Sequence, residues 1–209
     1  MNKQEKFVIT INRELGSGGR TVGRKLAEKL NVEFYDKTLI RGLTEKFNLT
    51  VDEVEKIKGR SHSWWSELAN NLSAGQNMMP TGQIPTKLDV PTTAEMFKVE
   101  TEILKGIAET ASCVITGRSG FFVFRDVPNH ISILIQATMP YRIERVMRKQ
   151  NLTEDEARKT IEKVDKMREN YVQKYTSTSR YDTRNYDLVI SADGKTEDEI
   201  VELIMKYIG

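Results

Sequence analysis

The 209 residues are enough for one sizeable α/β domain and few for two. The 32 basic and 30 acidic residues leave a formal net charge of +2, so composition gives no reason to expect nucleic-acid binding. A single cysteine, Cys113, excludes an internal disulfide and suits a reducing compartment. No apolar run could span a bilayer, and the polar N-terminus does not read as a signal peptide. We therefore expect a cytoplasmic protein with no membrane partner, and any anion site must come from local clustering.

The first predicted elements are a strand, a turn and a helix. Apolar residues 7–11 predict a buried strand, and residues 21–30 predict a helix with its apolar side chains on one face. A second strand at 32–35 precedes three short helices at 38–47, 51–58 and 63–72. Residues 73–93 lose this periodicity and are rich in proline, so they predict a loop. A loop of this length in a compact domain is usually mobile or functional.

The second half of the chain repeats the alternation of strands and helices. A helix from about 93 to 111 leads into strands at 113–116 and 130–136. Charged helices at 141–150 and 155–175 precede a strand at 187–191 and a helix at 196–208. Apolar strands alternating with helices indicate βαβ units, and hence an α/β fold with a parallel sheet covered on both faces.

The turn after the first strand is the most informative motif. Its layout between a strand and a helix is that of a phosphate-binding P-loop, G-x-x-x-x-G-K-[ST], with Glu14 in place of the first glycine and Arg20 in place of the lysine. Backbone N–H groups and the helix dipole would attract an anion there, and Thr21 would offer a hydroxyl to Mg²⁺. The alternative is a tight turn whose glycines serve only the backbone. The predicted phosphate cradle is Gly16, Ser17, Gly18, Gly19, Arg20 and Thr21.

Polar residues follow other predicted strands. Asp36 follows the second strand, Arg118 the third, and Gln136 ends the fourth. The carboxyl ends of parallel strands meet at one rim, where ligands bind in such sheets. Asp36 can alternatively be read as the N-cap of the next helix, and Arg118 as a surface arginine. A structural Arg20 would pair with Glu14 or Asp36 and point away from the crevice.

Basic residues cluster in the charged helices. Arg142, Arg145 and Arg148 recur every three residues and should share a flank, while Asp165 and Arg168 have the same spacing on the next helix. Arginines beside a phosphate loop suit stabilisation of charge during phosphoryl transfer. The alternative is a solvated helix face laced by carboxylates.

Five segments, in order, resemble the cytidylate kinases and, more closely, the bacterial cytidylate kinase-like proteins of the P-loop nucleoside monophosphate kinase superfamily. They are VITINRELGSGGRT, FYDKTLIR, VITGRSGFFVFRDVPNHISILIQA, the R-x-x-R and D-x-x-R pairs of the charged helices, and LVISADGKTEDEIVELIMKYI. The resemblance implies a three-layer P-loop kinase fold with a five-stranded parallel sheet. It also implies an acceptor-binding insertion at 37–95 and a lid at 141–184 within one 1–209 domain.

The resemblance further implies transfer of the ATP γ-phosphate, with Mg²⁺, to CMP, dCMP or a related small molecule. Gly16 to Thr21 would cradle the donor, with Thr21 at the metal. Arg20, Arg145 and Arg168 would act on the transferring group. The acceptor-side residues would be Asp36, Arg41, Arg118 and Asp165, with Asp165 orienting an arginine or touching the base. A same-fold kinase for another small molecule and a non-catalytic nucleotide-binding protein remain alternatives, and the sequence leaves monomer or homo-oligomer open.

Overall fold

The computed structural model describes residues 1–40 and 94–209. The predicted helices 51–58 and 63–72, most of helix 38–47 and the loop 73–93 lie outside the described residues, and residues 37–40 are helical. The strands are β1 (Val8–Arg13), β2 (Glu33–Asp36), β3 (Cys113–Thr116), β4 (His130–Gln136) and β5 (Leu188–Ser191). The other described helices are α1 (Gly19–Leu30), α2 (Ala94–Thr110), α3 (Gly120–Val123), α4 (Met139–Gln150), α5 (Glu154–Thr176) and α6 (Glu197–Ile208), with a 3-10 turn at Thr183–Asn185.

The strands form one five-stranded sheet in the order β2-β3-β1-β4-β5, and every pairing is parallel. Strand β1 is central, with Val8 opposite Cys113 of β3 on one side and His130 of β4 on the other. The carboxyl ends of all five strands therefore meet at a single rim. The predicted parallel sheet is confirmed.

Burial of the central strands shows that both faces of the sheet are covered. The first four residues of β1, all of β3 and the middle of β4 are buried. Such unbroken apolar burial requires helices on both sides, because a half-exposed sheet would alternate polar and apolar residues. The three-layer α/β fold is therefore confirmed. Cys113 lies in this core, where burial raises the pKa of its thiol to about 12 and keeps it protonated.

The chain divides into two compact units. One comprises Met1–Asp36 and Ser112–Gly209 and contains the whole sheet. The other comprises Lys37–Ala111 and contains α2, which buries Val99, Ile103, Leu104 and Ile107.

Helices α4 and α5 pack together around a small apolar cluster of their own. It consists of Ile143, Val146, Ala157 and Ile161. Thr153 caps α5 through a capping box with Glu156, so the helix begins one residue before its predicted start. Although α5 has 23 residues, it is charged along its length. Across the described ranges, no helix is long and apolar enough to cross a membrane.

His130 is a half-buried histidine at the start of β4. Its Nε2 lies 2.7 Å from Oγ1 of Thr10, and its ring packs 5.8 Å from that of Phe124. Burial lowers the pKa of His130 to about 4, although the charge of Asp187 acts to raise it. The imidazole is therefore neutral at neutral pH, and its ring packs against the core residue Phe124.

Acid should destabilise the protein through His130. The pKa of His130 falls from 6.5 to about 4 on folding. The contribution of the neutral imidazole to the free energy of unfolding is therefore complete above pH 6.5 and is lost as the pH falls towards 4. The shift corresponds to roughly 3 kcal/mol of unfolding free energy. Urea unfolding between pH 7.5 and 4 should show a shallower pH dependence for His130→Gln than for the wild type. An NMR titration placing the pKa of His130 near 6.5 would contradict the assignment.

Candidate active site

The phosphate loop, residues 14–21, is a compact turn between β1 and α1. Gly16 and Gly18 have φ values of 88° and 83°, a left-handed conformation that glycine adopts without strain. The backbone N–H and hydroxyl of Ser17 both donate to the carbonyl of Glu14, at 3.3 and 3.0 Å. Ser17 therefore holds the turn closed from inside, where it is 1% exposed.

The beginning of α1 faces this turn without a side-chain cap. Its N-cap is Gly18, no side chain accepts a hydrogen bond from its first N–H groups, and its first turn has no acidic residue. Helices α5 and α6 instead begin with complete capping boxes. The first N–H groups of a helix have no intrahelical acceptor, and the dipole adds positive potential there. The start of α1 is therefore suited to an anion.

Arg20 pairs with Asp36 across the rim of the sheet. Its Nε lies 2.6 Å from Oδ2 of Asp36, whose side chain is 3% exposed against 51% for Arg20. The ion pair with Asp36 is the contact that we expected if Arg20 were structural. The pairing nevertheless keeps Arg20 at the carboxyl ends of the strands instead of turning it away. Asp36 is thus held by a cation from the phosphate loop.

Glu14, at the position of the first P-loop glycine, has partners of its own. Its Oε2 accepts the N–H of Ala137 at 3.0 Å, and its Oε1 lies 3.0 Å from Nη1 of Arg142. The carboxylate therefore joins the start of the phosphate loop to helix α4 and to the end of β4. The unusual residue is an anchor for a neighbouring arginine.

Asp165 of α5 contacts both the phosphate loop and three arginines. Its Oδ1 accepts the N–H of Leu15 at 3.0 Å, and its Oδ2 pairs with Nη2 of Arg142. Arg168 and Arg180 lie 3.4 and 3.3 Å from Oδ1. One carboxylate, 7% exposed, thus binds the phosphate loop and orders arginines from α4, α5 and the segment after α5.

Arg168 and Arg180 also attach to β1, since both donate to the carbonyl of Arg13. Burial lowers the pKa of Arg168 to about 10, with the charge of Arg180 as a further cause, so it remains protonated at neutral pH. Arg180 is fully buried and was missed by sequence reasoning. It follows the polar run TSTS, and no spacing marks it.

Arg145 lies beside the phosphate loop and pairs with Glu197 at the start of α6. A β-carbon at Gly18 would lie 3.5 Å from Cζ of Arg145. Burial is the largest single effect on the pKa of Glu197 and acts to raise it. The hydrogen bond from Arg145, a backbone hydrogen bond and the charges of Arg145 and Lys25 together lower that pKa below its usual value, so the pair is ionised. Arg148, the third arginine expected on this flank, is exposed, whereas Arg142 is buried and Arg145 half-buried.

The acceptor-side candidates are only partly described. Arg118 is 8% exposed, so the surface-arginine reading is wrong, and its guanidinium lies 4.7 Å from the ring centroid of Tyr171. The turn that holds it has positive φ at Gly117, Arg118 and Ser119. Arg41 lies outside the described residues.

A cavity of about 470 Å³ lies elsewhere in the same unit. It is lined by residues including His130 at the amino end of β4, Arg125 and Tyr186. The phosphate loop contacts the carboxyl end of that strand, so the cavity is separate from the candidate active site. Neither it nor any other part of the described chain gathers three His, Cys, Asp or Glu residues able to hold a metal ion.

Comparison with known proteins agrees with this geometry. The model of the cytidylate kinase-like family matches residues 8–193, which is most of the chain. The chain belongs to the cytidylate kinase-like family. Members of this family are kinases, nucleotide-binding transferases that act on small molecules, and P-loop kinases generally use ATP and Mg²⁺.

Two curated relatives align with nearly the whole chain. A cytidylate kinase from Sulfolobus acidocaldarius is 22% identical over 96% of this chain and 93% of its own. An S-adenosylmethionine-dependent nucleotide dehydratase from Lacinutrix mariniflava is 26% identical over 97% of this chain but only 36% of its own length.

Solved structures show the same fold. A crystal structure of an uncharacterized protein from Eubacterium ventriosum is 26% identical, with a TM-score of 0.69 over 97% of this chain and 98% of that one. A shikimate kinase from Bacteroides thetaiotaomicron is 16% identical, with a TM-score of 0.51 over 97% and 98% of the two chains. The second similarity shows the fold alone.

Removing the charge of Asp165 should loosen the arginines that it binds. Asp165→Asn leaves three buried or half-buried arginines without their shared carboxylate, so the free energy of unfolding should fall by about 3–5 kcal/mol. The matched control is Asp155→Asn on the exposed side of the same helix, which should change it by less than about 0.5 kcal/mol. Urea unfolding measures both. Equal effects in the two variants would show that the Asp165 contacts do not stabilise the fold.

Proposed function

We propose that the chain is an ATP-dependent phosphotransferase of the nucleoside monophosphate kinase type, which transfers the γ-phosphate to CMP, dCMP or a related acceptor. The observation that carries the proposal is an uncapped helix start behind a phosphate loop, with arginines from α4 and α5 attached to that loop through Glu14 and Asp165. Phosphoryl transfer depends chiefly on positioning and on cations that stabilise spread negative charge.

The donor phosphates would lie against the backbone N–H groups that begin α1. Gly16 and Gly18 let the backbone approach the phosphates closely, and Ser17 keeps the turn closed. Arg145, which lies beside Gly18, and Arg168 would neutralise charge that develops on the transferring group. Arg20 would stand in for the P-loop lysine, with Asp36 fixing its orientation.

Mg²⁺ fits this site through Thr21. Magnesium in kinase sites keeps waters and substrate phosphate oxygens and needs only one or two protein ligands, so a dedicated cage is unnecessary. Thr21 lies in the first turn of α1, next to the N–H groups that would hold the phosphates. When bound, the ion would offset charge on the phosphate oxygens, and the chain's own residues would position the substrates.

On the acceptor side we propose Arg118 and Arg41 as ligands of the monophosphate, with Asp36 at the same rim. For Asp165 the geometry favours the orienting role over a contact with the base, because both of its oxygens engage arginines. Residues 141–184, which contain α4 and α5, would form the lid, and 37–95 the acceptor-binding insertion.

A nucleotide acceptor is favoured over a sugar or another small molecule by the two curated relatives. One is named as a cytidylate kinase and the other as a nucleotide dehydratase, and each aligns with nearly the whole chain. The shikimate kinase similarity supports only the fold. A non-catalytic nucleotide-binding role is less favoured, since Glu14 and Arg20 both have partners that order the site.

The proposal is tested by ADP release from ATP and Mg²⁺ with a panel of acceptors. Turnover with CMP or dCMP supports the proposal. Turnover only with non-nucleotides would assign another acceptor to the same fold. ATP binding without turnover on the whole panel would indicate a nucleotide-binding protein. Sulfate soaked into crystals should occupy Gly16–Thr21, and an empty loop with phosphate bound elsewhere would refute that site.

Arg20 should matter more to turnover than to ATP affinity. Arg20→Ala removes a cation aimed at transition-state charge, so kcat should fall by roughly a hundredfold, about 3 kcal/mol, while the backbone still holds ATP. Arg20→Lys should keep much of the activity. The variant also leaves buried Asp36 without this partner, so kcat is corrected for the folded fraction and read beside the thermal midpoint.

Lys25→Ala is the matched control, because Lys25 is a basic residue further along α1 that pairs with Asp198. It should leave kcat within about twofold. If Arg20→Ala lowers the thermal midpoint but keeps the wild-type kcat per folded molecule, then Arg20 is structural and has no part in the reaction.

A further inference from the structure

Arg13, the last residue of β1, extends over the end of the neighbouring strand. A β-carbon at Gly117, directly after β3, would overlap Nη1 of Arg13 and lie 3.2 Å from its Cζ. Its guanidinium therefore lies on the rim where β1 and β3 end. This is the rim that also carries Asp36 and Arg118, the residues assigned to the acceptor side.

Two glycines from different parts of the chain make room for Arg13. Gly117 leaves space for the guanidinium, and Gly19 leaves space for the first part of the side chain. A β-carbon at Gly19 would lie 2.6 Å from Cβ and 3.1 Å from Cγ of Arg13. Distances below about 3 Å require something to shift. The absence of a side chain at both glycines therefore leaves room for Arg13 between the start of α1 and the end of β3.

Arg13 differs from the other arginines of the site in its partners. Arg20, Arg142 and Arg145 each pair with a carboxylate, and Arg168 and Arg180 share Asp165. Within the described parts of the chain, no carboxylate lies within ion-pairing distance of the Arg13 guanidinium. In the described ranges the hydrogen bonds of Arg13 are made by its backbone: its N–H donates to Oδ1 of Asn12, and its carbonyl accepts from Arg168 and Arg180.

The charges around Arg13 leave it uncompensated. Burial and the positive charges of Arg168, Arg180 and Arg20 lower the pKa of Arg13, while Asp36 acts to raise it. An arginine in a protein stays protonated even so. A half-buried cation without a paired anion is unfavourable in the free protein, and an anionic ligand would relieve that cost.

We propose that Arg13 is a substrate-binding residue that holds the phosphate of the acceptor against the transferring group. The proposal rests on the proposed kinase function. The position favours the acceptor phosphate over the donor, because the guanidinium lies at Gly117, directly after β3 and one residue before Arg118, whereas the donor phosphates would lie against the N–H groups of α1. Its planar fork suits two oxygens of one phosphate.

The test compares Arg13→Gln with the wild type in binding and turnover. Calorimetry with CMP and with cytidine measures what the acceptor phosphate adds to affinity. In the variant, CMP affinity should fall by roughly ten- to a hundredfold while cytidine affinity stays within about twofold. ATP affinity should change little. Arg13→Lys should recover part of the loss.

Stability separates a binding role from a structural one. Arg13→Gln removes an unpaired cation, so the ligand-free thermal midpoint should stay equal or rise while CMP binding weakens. The matched control is Arg125→Gln, which removes an exposed arginine paired with Asp126 and should change neither measurement.

Unchanged CMP affinity in Arg13→Gln, or equal losses for CMP and cytidine, would overturn the proposal and leave the kinase function standing. Absence of turnover in the wild type on the whole acceptor panel would instead refute the kinase function. The difference between CMP and cytidine would still decide whether Arg13 binds phosphate.

Discussion

The carboxylate of Asp165 is the contact on which the rest of the site depends. It binds a backbone N–H of the phosphate loop and arginines from three segments of the chain. Charges of one sign do not gather in a half-buried place without a counter-charge. Removing this single anion would leave its arginines repelling one another. Asp165 thus holds α5 against the phosphate loop and also supplies the negative charge that lets several arginines lie close together beside that loop.

The arginines outnumber the carboxylates that pair with them, and this surplus gives the site its chemistry. Glu14, Asp36, Asp165 and Glu197 neutralise part of the charge and fix the direction of the side chains. The remaining positive charge faces the rim where strands end and α1 begins. Preorganised cations of this kind stabilise a spread negative charge without reorganising during the reaction. In this arrangement Glu14 replaces a loop glycine because it orders Arg142, which an uncharged residue would not do.

The sequence was sufficient for the sheet, because apolar runs separated by amphipathic helices have few other solutions. It was also sufficient for the glycine turn, and it noted the three-residue spacing that lets Asp165 pair with Arg168 in the structure. The sequence was insufficient to predict that Arg180 is buried, because its contacts are with Arg13 of β1 and Asp165 of α5, which are distant in the sequence. Exposure rises from Arg142 to Arg148 because a spacing of three falls about 60° behind at each step of a 3.6-residue helix, and the three-residue spacing alone did not reveal this gradient. Strand β1 was ended too early at Ile11, because a polar Asn12 and Arg13 hid its last pair of residues.

The central position of β1 has a consequence for how the molecule folds. The strand that carries the phosphate loop pairs with β3 more than 100 residues later, and with β4 later still. During synthesis it therefore waits as an apolar segment with both hydrogen-bonding edges open until those strands have emerged. Closing such long loops is slow, and the exposed edges favour aggregation in the meantime. The exposed α1–α6 ion pairs of Lys25 with Asp198 and Lys29 with Glu202 can form only after α6 has been synthesised, so these contacts on the outer side of α1 are added last.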